Sequence, residues 1–133
     1  MTWIKDMYVS LKGIDDINAE GCCTGKFISQ GGISGRPEST GLGIYYGTKE
    51  LLNTESFLKK TGLSYGVNNK TIIVQGFGSV GYWASKFCAK DGAKIVGIVE
   101  HNSAIYNPDG FDVDDVKNYF NKNGSVYGYP KAQ

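Results

Sequence analysis

The chain has 133 residues, of which 41% are hydrophobic and 20% charged, with a formal net charge of +1 at pH 7. A charge so close to zero produces no long-range field, so composition gives no case for binding to nucleic acid or to a membrane surface. One domain of this length buries about two-thirds of its unfolded surface, and no apolar run reaches the ~20 residues needed to span a bilayer.

The first part of the chain predicts a helix, a glycine-rich segment and a second helix. Apolar residues at helical spacing on one face predict a helix over 2–12. Residues 18–43 are rich in glycine and weakly periodic, which predicts mostly loop. A second helix is predicted from about Thr40 to about Lys60, ended by a glycine. The glycines near its start indicate close packing or the close approach of a ligand.

The second part of the chain alternates strands and helices. Thr71–Gln75 is a β-branched run typical of a buried strand, and the isoleucine- and valine-rich Lys94–Val99 predicts another. Between them, an apolar stripe predicts a helix over 79–91. Asp112 is a good N-cap for a last helix. Strand, helix and strand together predict a right-handed βαβ unit with parallel strands, although two strands are few for a parallel sheet.

Three glycines follow the first strand at the spacing GxGxxG. Gly76 suits a tight turn, Gly78 leaves room for a pyrophosphate, and Gly81 permits close packing of helix on sheet. The start of the helix offers N–H groups and its positive dipole end to the phosphates. Glu100 lies 19 residues past Gly81, where a carboxylate binds a ribose 2′-OH and repels a 2′-phosphate, which favours NAD over NADP. The alternative is a turn used only for folding, with Glu100 as a solvated strand end.

A second pattern, TGK…GG…GR…TG, lies in NAEGCCTGKFISQGGISGRPESTGLG, residues 18–43. It resembles the signature of the glutamate dehydrogenase family, which includes the leucine, phenylalanine and valine dehydrogenases. The likeness continues through VQGFGSVG (74–81) and NPDG (107–110), so the whole chain resembles a central fragment of such an enzyme. The resemblance implies an α/β fold: a partial Rossmann-type βαβ coenzyme-binding unit preceded by helices and a glycine-rich hinge segment. The implied domains are 1–43, the end of a substrate domain with its glycine-rich connection, and 44–133, the first part of an incomplete NAD(P)-binding domain.

The family implies an activity, a coenzyme and a set of site residues. The activity is NAD(P)-dependent oxidative deamination of L-glutamate to 2-oxoglutarate and ammonia, in a homo-oligomer that is normally a hexamer, with NAD as the expected coenzyme and NADP as the alternative. The resemblance places Arg36 on the carboxylate of the substrate, which a guanidinium can hold with two hydrogen bonds. It places Thr40 at the nicotinamide end of the coenzyme. The implied coenzyme-binding residues are Thr40, Gly76, Phe77, Gly78, Ser79, Val80 and Glu100.

Two positions depart from the family pattern. Ser79 stands where many members have asparagine, and it donates to a phosphate with a shorter reach. His101 stands where a serine is common, and it either stacks on adenine, binds a 2′-phosphate when protonated, or is a surface side chain. The family's chemistry uses a lysine of depressed pKa and a carboxylate from an earlier part of the enzyme. Lys26 and Lys49 lie outside that lysine's motif, so no catalytic residue is assigned and the chain alone is expected to show no turnover.

Two other functions remain open on the sequence. One is a non-catalytic nucleotide-binding or interaction fragment, because the sheet is unfinished and leaves strand edges and apolar surface. The other is a related dehydrogenase acting on a branched-chain or aromatic amino acid, although the SQGG…GR segment favours glutamate. Three cysteines without a CxxC spacing and a single histidine argue against a zinc site. They favour an intracellular location, which for this family is the mitochondrial matrix or the cytoplasm.

Overall fold

Five α-helices and three β-strands form the chain in a computed structural model that describes all 133 residues. In chain order they are α1 (Thr2–Lys12), α2 (Arg36–Leu51), α3 (Glu55–Thr61), β1 (Thr71–Gln75), α4 (Ser79–Lys90), β2 (Lys94–Val99), β3 (Ala104–Tyr106) and α5 (Val113–Asn123). The residues divide into two compact units, Met1–Arg36 and Pro37–Gln133. None of the helices has the length and apolar content that crossing a membrane requires.

The first unit is built on α1, whose predicted position is confirmed. Lys5 forms an ion pair with Glu20 at 3.2 Å, and the Tyr8 hydroxyl donates to Asp16 at 3.1 Å. These contacts hold α1 against the segment that follows it, which contains the short 3₁₀ helix Ala19–Gly21 with Ala19 buried. α1 itself buries no residue, so the apolar face that predicted the helix is exposed within this unit.

α2 begins earlier than the sequence predicts. It starts at Arg36 and not near Thr40, so the last part of the predicted loop over 18–43 is helical. Gly35, with φ of +83°, turns the chain into the helix. Pro37 lies in the first turn, where its missing N–H would have no partner within the helix.

The predicted helix to about Lys60 is interrupted, and α3 is a separate element. Leu52 leaves α2 and is buried in the core, with 7% of its surface exposed. Thr54 then adopts extended backbone at the N-cap position of α3, and its hydroxyl donates to the Glu50 carbonyl at 2.9 Å. The stretch whose composition predicts a single helix is therefore two helices, separated where Thr54 adopts extended backbone.

The sheet has the strand order β1-β2-β3. β1 and β2 are parallel, as predicted, with Ile73 opposite Gly97 after a shift of register. β3 pairs antiparallel with β2 and was not predicted. β2 is the central strand and four consecutive residues of it are buried. β1 is an edge strand with alternating exposure, so its predicted burial is wrong: Ile73 is 66% exposed.

The core of the second unit lies around β2, with α4 and α5 packed together and α4 packed on β1 and β2. The N-cap prediction for α5 is confirmed, because the Asp112 carboxylate accepts from the N–H groups of Asp114 at 2.9 Å and Asp115 at 3.0 Å. The largest fully buried side chains are Phe77, Ile95, Ile98, Val67, Val116, Val126 and Ser85.

Three clusters of one tyrosine, one lysine and one aspartate tie the elements of the second unit together. In each cluster the tyrosine hydroxyl and the lysine ammonium both donate to the aspartate carboxylate, at 2.6–3.1 Å. The clusters are Tyr45–Lys49–Asp91, Tyr82–Lys86–Asp114 and Tyr129–Lys131–Asp115. They link α2 to the end of α4, α4 to α5, and α5 to the C-terminal segment.

Candidate functional site

The glycine turn lies at the carboxyl end of β1. Gly76 leaves the strand with φ of +84°, a conformation that glycine adopts without strain. Its N–H donates to the Val99 carbonyl at 2.7 Å, so the turn stays in register with the end of β2. A Cβ atom on Gly76 or Gly78 would meet no atom within 4 Å. The side of the turn that these glycines present is therefore open to a ligand.

The start of α4 packs directly on this turn. A Cβ atom on Gly81 would lie 1.8 Å from the Gly76 carbonyl oxygen, so no other residue fits there without moving the backbone. Gly78 is the N-cap residue and no side chain caps the helix. The N–H groups of the first turn, including those of Ser79 and Val80, have no partner within the helix. With the positive end of the helix dipole they form a site suited to an anion.

Glu100 lies beside the turn, directly after β2. One carboxylate oxygen, Oε1, accepts from the Phe77 N–H. The other, Oε2, lies 3.6 Å from Nδ1 of His101, whose side chain is 84% exposed. The Glu100 side chain is 13% exposed. The carboxylate is thus held against the turn, with one oxygen on its backbone and His101 beyond it on the surface.

Phe77 faces the interior with its side chain and the turn with its backbone. The ring is fully buried and meets Tyr82 and Phe120 edge-on, at centroid distances of 6.2 and 6.4 Å. Its peptide groups are the part of Phe77 that lies at the turn. Of the residue types implied for coenzyme binding, Phe77 can therefore contribute its main chain and not its ring.

Lys117 of α5 also lies at the turn, and its role there was not predicted from the sequence. Its ammonium donates to the Phe77 carbonyl at 3.2 Å and lies 4.9 Å from the centroid of the Phe120 ring. Burial lowers the pKa of Lys117, and the nearby Glu100 carboxylate opposes this. A signal was present: Lys117 follows Val113 by four residues and precedes Phe120 by three, so it falls inside the apolar stripe of α5.

α2 lies against the start of α4. The Ser79 hydroxyl donates to the Pro37 carbonyl at 3.3 Å. Gly41 is buried, and a Cβ atom there would lie 2.4 Å from Cβ of Trp83. The expectation that glycines of α2 permit close packing is met at Gly41, and Thr40, the residue before it, is exposed. The structure thus places α2 and the turn side by side within the second unit.

Arg36 belongs to the first unit, where it lines a cavity of about 190 Å³ together with Gly32 and Lys26. The Lys26 ammonium donates to the carbonyls of Glu20 at 2.8 Å and Cys23 at 2.6 Å. This lysine closes the loop around the cavity through these two backbone carbonyls. Arg36 therefore lies on a different compact unit from the glycine turn and Glu100.

A larger cleft, of about 620 Å³, begins at the turn and follows β1. Its walls are mostly apolar and include Ile44, Ile73, Val80 and Ala84, with Gly78 at the end nearest the turn. The cleft lies along the strand edge that has no partner in the sheet. No group of three or more potential metal ligands is gathered anywhere in the chain.

Comparison with known proteins gives consistent matches. The family model described as Glutamate/Leucine/Phenylalanine/Valine dehydrogenase matches residues 31–133. The chain is 47% identical over 132 residues to "Glutamate dehydrogenase, mitochondrial" of Dictyostelium discoideum, covering 99% of this chain and 26% of that protein. It is 36% identical over 132 residues to "NADP-specific glutamate dehydrogenase A1" of Halobacterium salinarum, again covering 99% of this chain and 29% of the relative.

Solved structures show the same likeness. The glutamate dehydrogenase of Peptoniphilus asaccharolyticus matches with a TM-score of 0.71 and 32% identity, over 94% of this chain and 30% of that one. The hetero-hexameric glutamate dehydrogenase of Thermus thermophilus matches with a TM-score of 0.70 and 29% identity, over 94% of this chain and 27% of that one. The chain therefore spans between about a quarter and a third of the length of the proteins it matches.

Proposed function

The chain belongs to the Glutamate/Leucine/Phenylalanine/Valine dehydrogenase family, and we propose that it supplies the coenzyme-binding turn of an enzyme that oxidatively deaminates L-glutamate to 2-oxoglutarate and ammonia. The observation that carries the proposal is one juxtaposition. The open glycine turn, the uncapped start of α4 and the Glu100 carboxylate all lie at the carboxyl ends of two parallel strands. Ligands of open α/β sheets bind at that edge. We therefore infer that the βαβ unit is of the Rossmann type.

The residues of the turn fit a dinucleotide. The N–H groups of Ser79 and Val80 would bind the pyrophosphate, for which the open space at Gly78 leaves room. Oε2 of Glu100, the oxygen not used by Phe77, would accept from a ribose hydroxyl. Thr40 would lie towards the nicotinamide end. When bound, NAD(P)⁺ supplies the acceptor for the hydride that leaves the substrate.

The two lysines considered for catalysis are engaged elsewhere. The hydroxyl of Tyr45 and the carboxylate of Asp91 raise the pKa of Lys49, which keeps it protonated and unable to accept a proton. The Lys26 ammonium donates to two backbone carbonyls. General acid–base catalysis contributes about 10²–10⁴-fold in rate, so we expect this chain to bind coenzyme without turning over glutamate. Activity of the purified chain in an NADH-coupled glutamate assay would contradict this.

Glu100 favours NAD, because a carboxylate at this point repels a 2′-phosphate. His101 lies beside it, and its protonated form would weaken that repulsion. The H. salinarum relative is named as NADP-specific, which supports NADP as the alternative coenzyme. We infer NAD as the coenzyme, with L-glutamate as the substrate because the relatives and structures compared are named glutamate dehydrogenases.

The whole enzyme is proposed to be a homo-oligomer, in which Arg36 holds a carboxylate of the substrate. The T. thermophilus structure is described as a hetero-hexamer, which supports an oligomeric assembly. The proposed location is the mitochondrial matrix or the cytoplasm, and the D. discoideum relative, which is named as mitochondrial, supports the first of these.

A calorimetric titration of the purified chain with NADH tests the proposal. We expect saturable binding that Glu100→Ala weakens by about tenfold, since one hydrogen bond to a charged group is lost. Glu50→Ala is the matched control, because Glu50 is an exposed glutamate on α2 and not at the turn. Absence of wild-type binding at millimolar NADH, or equal affinities of the wild type and Glu100→Ala, would refute the assignment of the site.

A further inference from the structure

Lys117 is an unusual lysine in this fold. It lies on the apolar face of α5, among three aromatic rings whose centroids are 4.9 Å (Phe120), 5.5 Å (Tyr82) and 5.7 Å (Phe77) from its ammonium. The only hydrogen bond found for that ammonium is to the Phe77 carbonyl, at 3.2 Å. Lysine side chains usually extend into solvent, so the placement of this partly buried ammonium among aromatic rings requires a structural reason.

The Phe77 residue is held from both sides by charged groups. Its N–H donates to the Glu100 carboxylate, and its carbonyl accepts from the Lys117 ammonium. The two side chains come from different elements, the end of β2 and the middle of α5. Hydrogen bonds to charged groups are the stronger kind. Phe77 is followed by Gly78, whose missing side chain leaves that backbone free to rotate unless its neighbours hold it.

Lys86 is a second lysine next to the Tyr82 ring, and its contacts are those of a structural ion pair. It lies on α4, at 5.5 Å from the Tyr82 ring and 5.4 Å from the Trp83 ring. Its ammonium donates to the Asp114 carboxylate at 2.8 Å, which links α4 to α5. Lys86 thus shares the aromatic setting of Lys117 but makes an ordinary ion pair and does not touch the turn.

We propose that Lys117 is a positioning residue for coenzyme binding, which holds the Phe77 carbonyl so that the N–H groups after it are oriented for the pyrophosphate. The inference rests on the proposed function and adds a residue to it. Because the Phe77 peptides are fixed before the ligand arrives, less conformational entropy is lost on binding. Groups oriented in advance towards a charge also stabilise it more than mobile ones do. Lys117 acts through the backbone and need not touch the coenzyme.

The test compares three substitutions in the full 133-residue chain. Lys117→Met keeps the length and apolar stem and removes the charge. Lys117→Arg keeps the charge and the donors, and Lys86→Met removes the other lysine that lies against Tyr82. For each protein, NADH affinity is measured by calorimetry, unfolding by urea titration, and exchange of the Phe77 amide hydrogen by NMR.

We expect Lys117→Met to weaken NADH binding by about tenfold, the effect of one hydrogen bond to a charged group. We expect the Phe77 amide hydrogen to exchange about tenfold faster in this variant, because the peptide on its other side is released. Lys117→Arg should restore the affinity to within about twofold of the wild type, since the guanidinium is always charged and has several donors. Lys86→Met should lower stability and leave NADH affinity and Phe77 exchange unchanged.

Several results would overturn the inference. They are equal NADH affinities of wild type and Lys117→Met, equal Phe77 exchange rates, or equal losses of affinity in Lys117→Met and Lys86→Met. A Lys117→Met chain that does not fold would show a structural role and would overturn it too. If the wild type does not bind NADH, the proposed coenzyme-binding function is refuted. Phe77 exchange measured without ligand then still decides whether Lys117 holds the turn.

Discussion

Replacement of Gly81 by alanine tests the central feature of the site, the packing of α4 on the glycine turn. The added Cβ atom would lie 1.8 Å from the Gly76 carbonyl oxygen and 3.2 Å from a methyl carbon of Val74. The first of these atoms is backbone, so relief requires movement of the turn or of the helix. Overpacking costs about 1–3 kcal/mol, whereas alanine in a helix gains about 1 kcal/mol over glycine. Because backbone must move, the overpacking cost lies near its upper end of about 3 kcal/mol, and subtracting the helix gain of about 1 kcal/mol leaves an expected loss of about 2 kcal/mol of unfolding free energy for Gly81→Ala.

Gly47 supplies the matched control. It lies inside α2, and a Cβ atom there would meet nothing within 4 Å. Gly47→Ala should therefore show the helix propensity gain alone, about 0.5–1 kcal/mol. The expected difference between the two alanine variants is about 3 kcal/mol.

Urea unfolding followed by the fluorescence of Trp83 measures this difference. Trp83 lies on α4 and reports on the second unit, and Trp3 is removed by a Trp3→Phe background mutation, since it is 89% exposed on α1. If Gly81→Ala proves as stable as Gly47→Ala, α4 does not approach the turn as closely as described. The start of α4 would then not lie at the proposed phosphate position.

Two further predictions concern stability. Asp112→Ala should lower the unfolding free energy by about 1 kcal/mol because α5 loses its N-cap. Asp112→Asn should retain most of the wild-type unfolding free energy, since asparagine is also a good N-cap. Equal urea midpoints of Asp112→Ala and Asp112→Asn would contradict this prediction. Lys49 and Tyr45 hold the pKa of Asp91 below its ordinary value of 3.8. Its ionised form therefore adds stability above pH 3.8, and this is lost as the pH falls through the lower folded-state pKa. Urea midpoints measured between pH 2 and 6 should fall less steeply at the acid end for Asp91→Asn than for wild type.

Features set by contiguous residues were predictable from the sequence. The bounds of β1 and β2 were predicted residue for residue, because short runs of β-branched residues end at glycine or polar positions. The Asp112 cap was predictable for the same reason, since an N-cap involves only the next three residues. β3 was missed because three residues are too few to show a period. The interruption after α2 was missed because no glycine or proline marks it in the sequence between Leu52 and Thr54.

The strand β1 shows how pattern and environment can disagree. Its sequence, TIIVQ, is typical of a strand covered on both faces, and β2, with KIVGIV, is covered in that way. β1 instead lies at the edge of the sheet and exposes Ile73, which packs on Gly97 from one side. The composition of a strand indicates how much burial the strand can accommodate. Its actual burial depends on the elements that pack around it.

The candidate site likewise has one part that the sequence predicts and one part that it does not predict. The glycine turn and Glu100 follow a spacing that can be read along the chain, because a βαβ unit fixes the distance between the ends of its strands. The contacts of Phe77 cannot be predicted from such a spacing. Its ring is buried, its N–H is held by a residue 23 positions later and its carbonyl by one 40 positions later. No periodic pattern links these three residues, since each lies on a different element and only the packed fold brings them together. The one trace in the sequence is Lys117 itself, a lysine inside the apolar stripe of α5, and a charged side chain at such a position indicates a polar partner within reach.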